Sequence, residues 1–175
     1  MKKIIFIIII TLVTNSFYAQ AIFDKFNGQD NISAVVANKK MFDLMSKVKV
    51  DASDKETQQY MTLIKKLDNL RSFTTTNDRA ANDMKSTAES YIKTAGLSEL
   101  KEVNEGGRNI KILAKKDANS TQLKEFLMLI DSDNKSNETV LMSLTGSFNL
   151  NEIPVLTDKM KVPGGDVLKR VIKGL

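Results

Sequence analysis

The first apolar run in the chain is continuous: Ile4 through Val13 is broken only by Thr11. It follows a basic start, Met1-Lys2-Lys3, and leads through Thr14–Tyr18 to Ala19-Gln20-Ala21. A basic start, an apolar core of about 7–15 residues and small residues at an A-x-A exit are the parts of a secretory signal peptide. The run has about half of the ~20 residues that a membrane-spanning helix needs. We therefore expect a signal peptide over 1–21, cut after Ala21, with Ala19 as the alternative position. Farther along, the spacing changes. Ile32–Ala37 is short, apolar and β-branched, and reads as a strand. Asn38 is a good helix cap before Met41, Leu44, Met45 and Val48, which recur at helical spacing and are expected to be buried.

Ser53-x-x-Glu56 has the pattern of a capping box. It opens a second helix whose stripe is Tyr60, Leu63, Ile64 and Leu67. Leu70–Thr76 reads as the second strand. Asn77 caps a longer helix that Gly96 ends in the C-cap position. Beyond Leu97 the period becomes two. Leu100–Asn104 and Asn109–Ala114 flank Glu105-Gly106-Gly107-Arg108, where glycines supply the positive φ of a tight hairpin. Phe126–Ile130 is apolar at every position, which fits a strand covered on both faces, although periodicity alone leaves a buried helix open. A polar turn over 131–137 precedes a strand over Thr139–Gly146, and Asn151 is expected to cap a helix reaching Met160. The order β-α-α-β-α-β-β-β-β-α predicts an α+β domain over 22–160, mainly an antiparallel sheet with helices packed against it. A tail, 161–175, follows.

Four segments together resemble a known family. They are Ala34–Phe42 (AVVANKKMF), Leu63–Phe73 running into Thr74-Thr75, and the pair Phe126–Ile130 and Val140–Leu150. In this combination the chain resembles the domain of unknown function 4252, small exported proteins of Bacteroidetes-type bacteria. The resemblance covers nearly all of the mature chain, roughly 22–160, and implies an envelope or extracellular location. Its motifs are packing patterns, so it carries over no activity, cofactor or functional residue.

Composition narrows the chemistry. The 175 residues contain no Cys and no His. That removes imidazole-based triads and shuttles, thiol nucleophiles and the cysteine of an acylated lipoprotein. The net charge of +5 misleads. Lys2 and Lys3 belong to the signal, and the last fifteen residues carry Lys161, Lys169, Arg170 and Lys173 against Asp166 alone. The body between is neutral, so nucleic acid is not an expected partner.

Each motif that suggests chemistry meets a simpler reading. Ser132-Asp133-Asn134 and Ser132-x-x-Lys135 spell fragments of serine β-lactamase signatures, and Ser46/Lys49 and Ser98/Lys101 repeat the second. That class needs its motifs at separate places together with K-T-G, which is absent. The oxygen-rich run Asp131–Glu138 fails the calcium-loop pattern, with Lys135 at a ligand position and Ser136 where glycine is required. Glu105-Gly106-Gly107-Arg108 lacks the Lys-Ser/Thr of a phosphate cradle and reads as a turn. We expect no catalytic, metal or cofactor residues, and assign the methionines, including Met41, Met45, Met128 and Met142, to the core.

The tail is the one candidate interaction element. After Pro163-Gly164-Gly165, Asp166 is expected to cap a short helix with Val167, Leu168, Val171, Ile172 and Leu175 on one side and Lys169, Arg170 and Lys173 on the other. So short a helix needs a surface for its apolar stripe: its own domain, an anionic membrane or a partner's groove. The sequence thus points to an exported, non-enzymatic envelope protein, periplasmic or extracellular, that binds a protein or membrane partner. An exported hydrolase using carboxylates or a Ser/Lys pair is the alternative.

Overall fold

The computed structural model describes residues 22–51, 53–118, 120–132 and 138–174. The expected signal segment with its exit at Ala21, and residues 133–137 of the polar turn, lie outside the described residues. The elements run β1 (Ser33–Asn38), α1 (Lys39–Met45), α2 (Lys55–Ile64), β2 (Leu67–Thr75), α3 (Asp78–Ala95), β3 (Ser98–Glu105), β4 (Arg108–Lys116), β5 (Leu123–Ser132), β6 (Thr139–Phe148), α4 (Ile153–Met160) and α5 (Gly165–Ile172). One six-stranded sheet results, ordered β1-β2-β6-β5-β4-β3, with every neighbouring pair antiparallel. This is the expected α+β class. From β2 the chain crosses the sheet along α3 to β3 at the far edge, then returns strand by strand to pair β6 with β2.

Local chemistry fixes most of the boundaries. The Asn38 side chain accepts from the Met41 N–H, and that of Asn77 from the Ala80 N–H, both at 3.0 Å. Gly96 ends α3 at φ +67°, and Gly106 and Gly107 turn the β3–β4 hairpin at φ +60° and +73°. Other starts differ from the sequence reading. Asp54, not Ser53, caps α2, accepting from the Thr57 N–H at 2.9 Å. Ser53 instead donates its N–H and hydroxyl to Asp51 at 2.8 Å. Leu67, expected on the α2 stripe, is the first residue of β2, because the helix ends at Ile64 and two lysines turn the chain. Asn151 caps nothing. The Asn149 N–H donates to Glu152 at 2.7 Å around a 3₁₀ turn over Leu150–Glu152, and Pro154 then sits in the first turn of α4, where its missing N–H costs little.

Both faces of the sheet are covered, and β5 shows why its run is apolar throughout. Phe126, Met128 and Ile130 enter one core, with Phe42 of α1, Leu63 and Ile64 of α2, Ile153 and Leu156 of α4 and the apolar residues of α5. Leu127 and Leu129 enter the other, with Met84, Ala88 and Tyr91 of α3 and with Phe23 and Phe26 of the N-terminal segment. That segment is held by an edge-on Phe23–Tyr91 ring contact at 5.0 Å and by Asp24, which accepts from Arg71 Nε at 2.6 Å.

The expected boundary at residue 160 does not mark the end of the core. Val167, Leu168, Val171 and Ile172 are buried in the first core, so the tail is the last helix of the domain. Its cap is Gly164 at φ +80° rather than Asp166. A Cβ on Gly164 would lie 3.0 Å from Met128 and 3.3 Å from Ile130 and Val140, so this turn seats directly on the sheet. The α1 stripe also differs: Phe42 is the residue that enters the core, while Met41, Leu44 and Val48 are 44%, 58% and 61% exposed.

Candidate functional site

α3 packs mainly on β2, β6 and β5 and touches β4 near its C-terminal end, where Lys115 donates to the Ala95 carbonyl at 3.1 Å. A groove of about 570 Å³ opens between its C-terminal half and the uncovered face of β3 and β4. α3 contributes Lys85, Glu89, Ile92 and Lys93, and β3 contributes Glu99, Glu102 and Asn104. β4 adds Asn109, Lys111 and Leu113, and β5 adds Leu129 and Asp131. The alternation of strands places these side chains together: Glu102 lies opposite Lys111, Asn104 opposite Asn109, and Asn109 opposite Asp131. Leu113, Leu129 and Ile92 form an apolar strip under a rim of both charges.

The rim charges are ordered by their neighbours. Asn109 Nδ2 donates to Glu102 Oε1 at 2.9 Å and to Asn104 Oδ1 at 3.0 Å. Lys111 lies 3.4 Å from the other Glu102 oxygen. The Asn109 hydrogen bond, helped by Lys111, holds the Glu102 carboxyl below the usual range, so it is ionised at neutral pH. Lys85 pairs with Asp131 across the groove. This arrangement suits binding of a polar ligand that carries both charges.

Among the described residues, the carboxyl pushed the other way sits apart from the groove. Glu125 is 8% exposed and accepts a hydrogen bond from the Tyr91 hydroxyl under α3. Burial raises its pKa, opposed by the Tyr91 hydrogen bond and the charge of Lys115. Burial, reinforced by Glu125, raises that of Tyr91 as well. Glu125 is not among the groove-lining residues. It joins α3 to β5.

The residues singled out from sequence are scattered. Ser46 donates to the Asp43 carbonyl at 2.9 Å. Lys101 donates to the Val171 and Gly174 carbonyls at 3.3 and 3.0 Å, closing the C-terminal end of α5. Lys135 lies outside the described residues. On the tail helix, Lys169 pairs with Asp158 at 2.8 Å, and Arg170 lies 3.4 Å from Asp166 and 3.8 Å from Glu105. Lys173 is exposed. With Val167, Leu168, Val171 and Ile172 inside, α5 turns outward a cationic face on which Lys169 and Arg170 are engaged by acids. Sequence reasoning missed the groove, yet its signal was present: Glu102/Asn104 and Asn109/Lys111 alternate on the polar side of the expected hairpin.

Among the described residues no three of His, Cys, Asp and Glu gather as a metal site, and no helix is long and apolar enough to cross a membrane. The fold and groove define an α+β domain with an antiparallel sheet layered between helices. The chain belongs to the DUF4252 family, a domain of unknown function, whose model matches residues 26–156. That match ends inside α4, before α5. No curated protein and no solved structure matches the chain.

Proposed function

We propose that the protein is an exported, non-enzymatic binding module of the cell envelope, and that the groove between α3 and β3–β5 seats its partner. The N-terminal pattern over 1–21 supports export. The observation that carries the binding reading is the groove's composition: an apolar strip of Leu113, Leu129 and Ile92 below a rim of both charges, in which Lys85 pairs with Asp131 and Lys111 with Glu102. Such a surface recognises an extended peptide with alternating charge better than it positions a reaction. The carboxylate form of the hydrolytic alternative needs a groove carboxyl that keeps its proton, and Asn109 and Lys111 act on Glu102 in the opposite sense.

The test uses two exposed rim residues, Lys93 and Glu99. Recovery of envelope proteins on the immobilised protein is compared with that on Lys93→Glu and Glu99→Lys, with melting curves as the folding control. We expect one enriched partner that both variants lose while melting as the parent does. Equal recovery on all three, or nothing above background, defeats the groove reading.

A further inference from the structure

The two edges of the sheet differ in a way that the groove does not use. β3, at one edge, carries Glu99, Lys101, Glu102 and Glu105 and an irregularity in register between Glu99 and Lys101. Charges and bulges are the devices by which proteins blunt an exposed edge against pairing. β1, at the other edge, has neither. Its six residues, Ser33-Ala34-Val35-Val36-Ala37-Asn38, include no charge, and its pairing with β2 runs without a break. Ser33 and Ala34 are exposed and Val35 and Val36 half-buried. Over the same end of the sheet, α1 leaves Met41, Leu44 and the following Val48 in solvent, because Phe42 turns into the core and Met45 packs against its margin.

We propose that β1 pairs antiparallel with β1 of a second copy of this chain across a two-fold axis, joining two sheets into one of twelve strands. The inference is independent of the groove. Three observations select a second copy over a foreign strand. First, the match is uncharged throughout: in the register centred on Val35, which keeps the two faces aligned, every residue of β1 faces an uncharged residue. Second, exposed Asp30 precedes β1 and exposed Lys40 follows it, and the register centred on Val35 brings each copy's Asp30 toward the other's Lys40. Third, the pairing closes. The joined sheet ends in β3 on both sides, and both ends are already blunted, so assembly stops at two. The Met41–Leu44–Val48 stripes then flank the seam and add apolar area to the strand contact.

The test is sedimentation velocity of the full-length gene product as purified, with hydrogen exchange at low and high protein concentration. We expect a dimer that forms with rising concentration, and β1 amides whose protection rises with it while β3 amides do not change. Lys40→Asp should weaken dimerisation about tenfold, and adding Asp30→Lys to it should restore the affinity. Leu44→Asp should weaken the dimer without touching the strand. Both positions are exposed, so a thermal melt matching the parent shows that each variant is folded. A monomer up to about 300 μM, beyond the range of a specific weak interface, overturns the proposal. So does a dimer indifferent to both Lys40→Asp and Leu44→Asp.

Discussion

Phe126, Met128 and Ile130 point from β5 into a face covered by four helices, whereas Leu127 and Leu129 of the same strand point into a face covered by α3 and the N-terminal segment alone. The first face is closed by apolar residues from α1, α2, α4 and α5. The second includes a buried carboxyl held by Tyr91 and leaves Leu113 and Leu129 at the floor of an open groove. The difference separates tasks. The four-helix face carries the stability, and the half-covered face has room for a surface that can be occupied.

The largest test of this division is to delete residues 162–175. It removes Val162, Val167, Leu168, Val171 and Ile172 from the closed face. At about 1.5–3 kcal/mol for each buried side chain, the loss equals the net stability of a whole domain, about 5–15 kcal/mol. The shortened chain should show no cooperative unfolding transition in urea; an unchanged midpoint would mean that α5 is not part of the core. Next in size are matched truncations. Leu168→Ala, on α5, should cost about 3–5 kcal/mol because nothing refills the space. Leu129→Ala, at the groove floor, should cost about 1–3 kcal/mol, since water can enter from the groove. Urea unfolding of the two side by side decides it, and equal losses would erase the distinction.

A smaller effect is expected from the carboxyl on the second face. Burial keeps the Glu125 proton in the folded state to a higher pH than in the unfolded chain. Its favourable share is therefore complete below the ordinary carboxyl range and is lost as pH rises through the elevated folded value. Glu125→Gln should melt higher than the parent at neutral pH and level with it at pH 3. A variant less stable than the parent at neutral pH would show instead that Lys115 needs the charge. Smallest is Lys161→Gly at the end of α4, where lysine holds φ +52°. Glycine removes that strain, and we expect a gain of about 0.5–1 kcal/mol in urea unfolding.

What the sequence made legible follows from how local each cause is. Asn38, Asn77, Gly96 and the Gly106-Gly107 turn act within a few residues of the boundaries they set, and each is where its chemistry requires. The apolar run Phe126–Ile130 was readable as a doubly covered strand because both faces require it. The misses are tertiary. Asp51 draws Ser53 away from the helix start, and the reciprocal Glu152–Asn149 contact shifts the next one. On α1 the periodicity found an apolar arc but not which part of it the sheet would reach. The tail's stripe was visible, whereas the surface beneath it required the order of the strands. The groove required that order too, because its residues come from four elements and meet only after α3 has crossed the sheet.

That crossing also sets a timetable for folding. β3 to β6 join neighbour to neighbour through short connections, but β2 meets β6 with Leu67 opposite Gly146 and Thr75 opposite Thr139. A Cβ on Gly146 would fall 2.4 Å from the Lys66 carbonyl oxygen, so the two backbones meet closely at that junction. Closing so long a loop carries an entropic cost that hairpins avoid, and such contacts form slowly. The meander should therefore assemble first and wait, its β6 margin bare, until β1 and β2 dock as a late step. Refolding rates should be governed there, at the junction between Lys66 and Gly146, rather than in the greasier centre of the sheet.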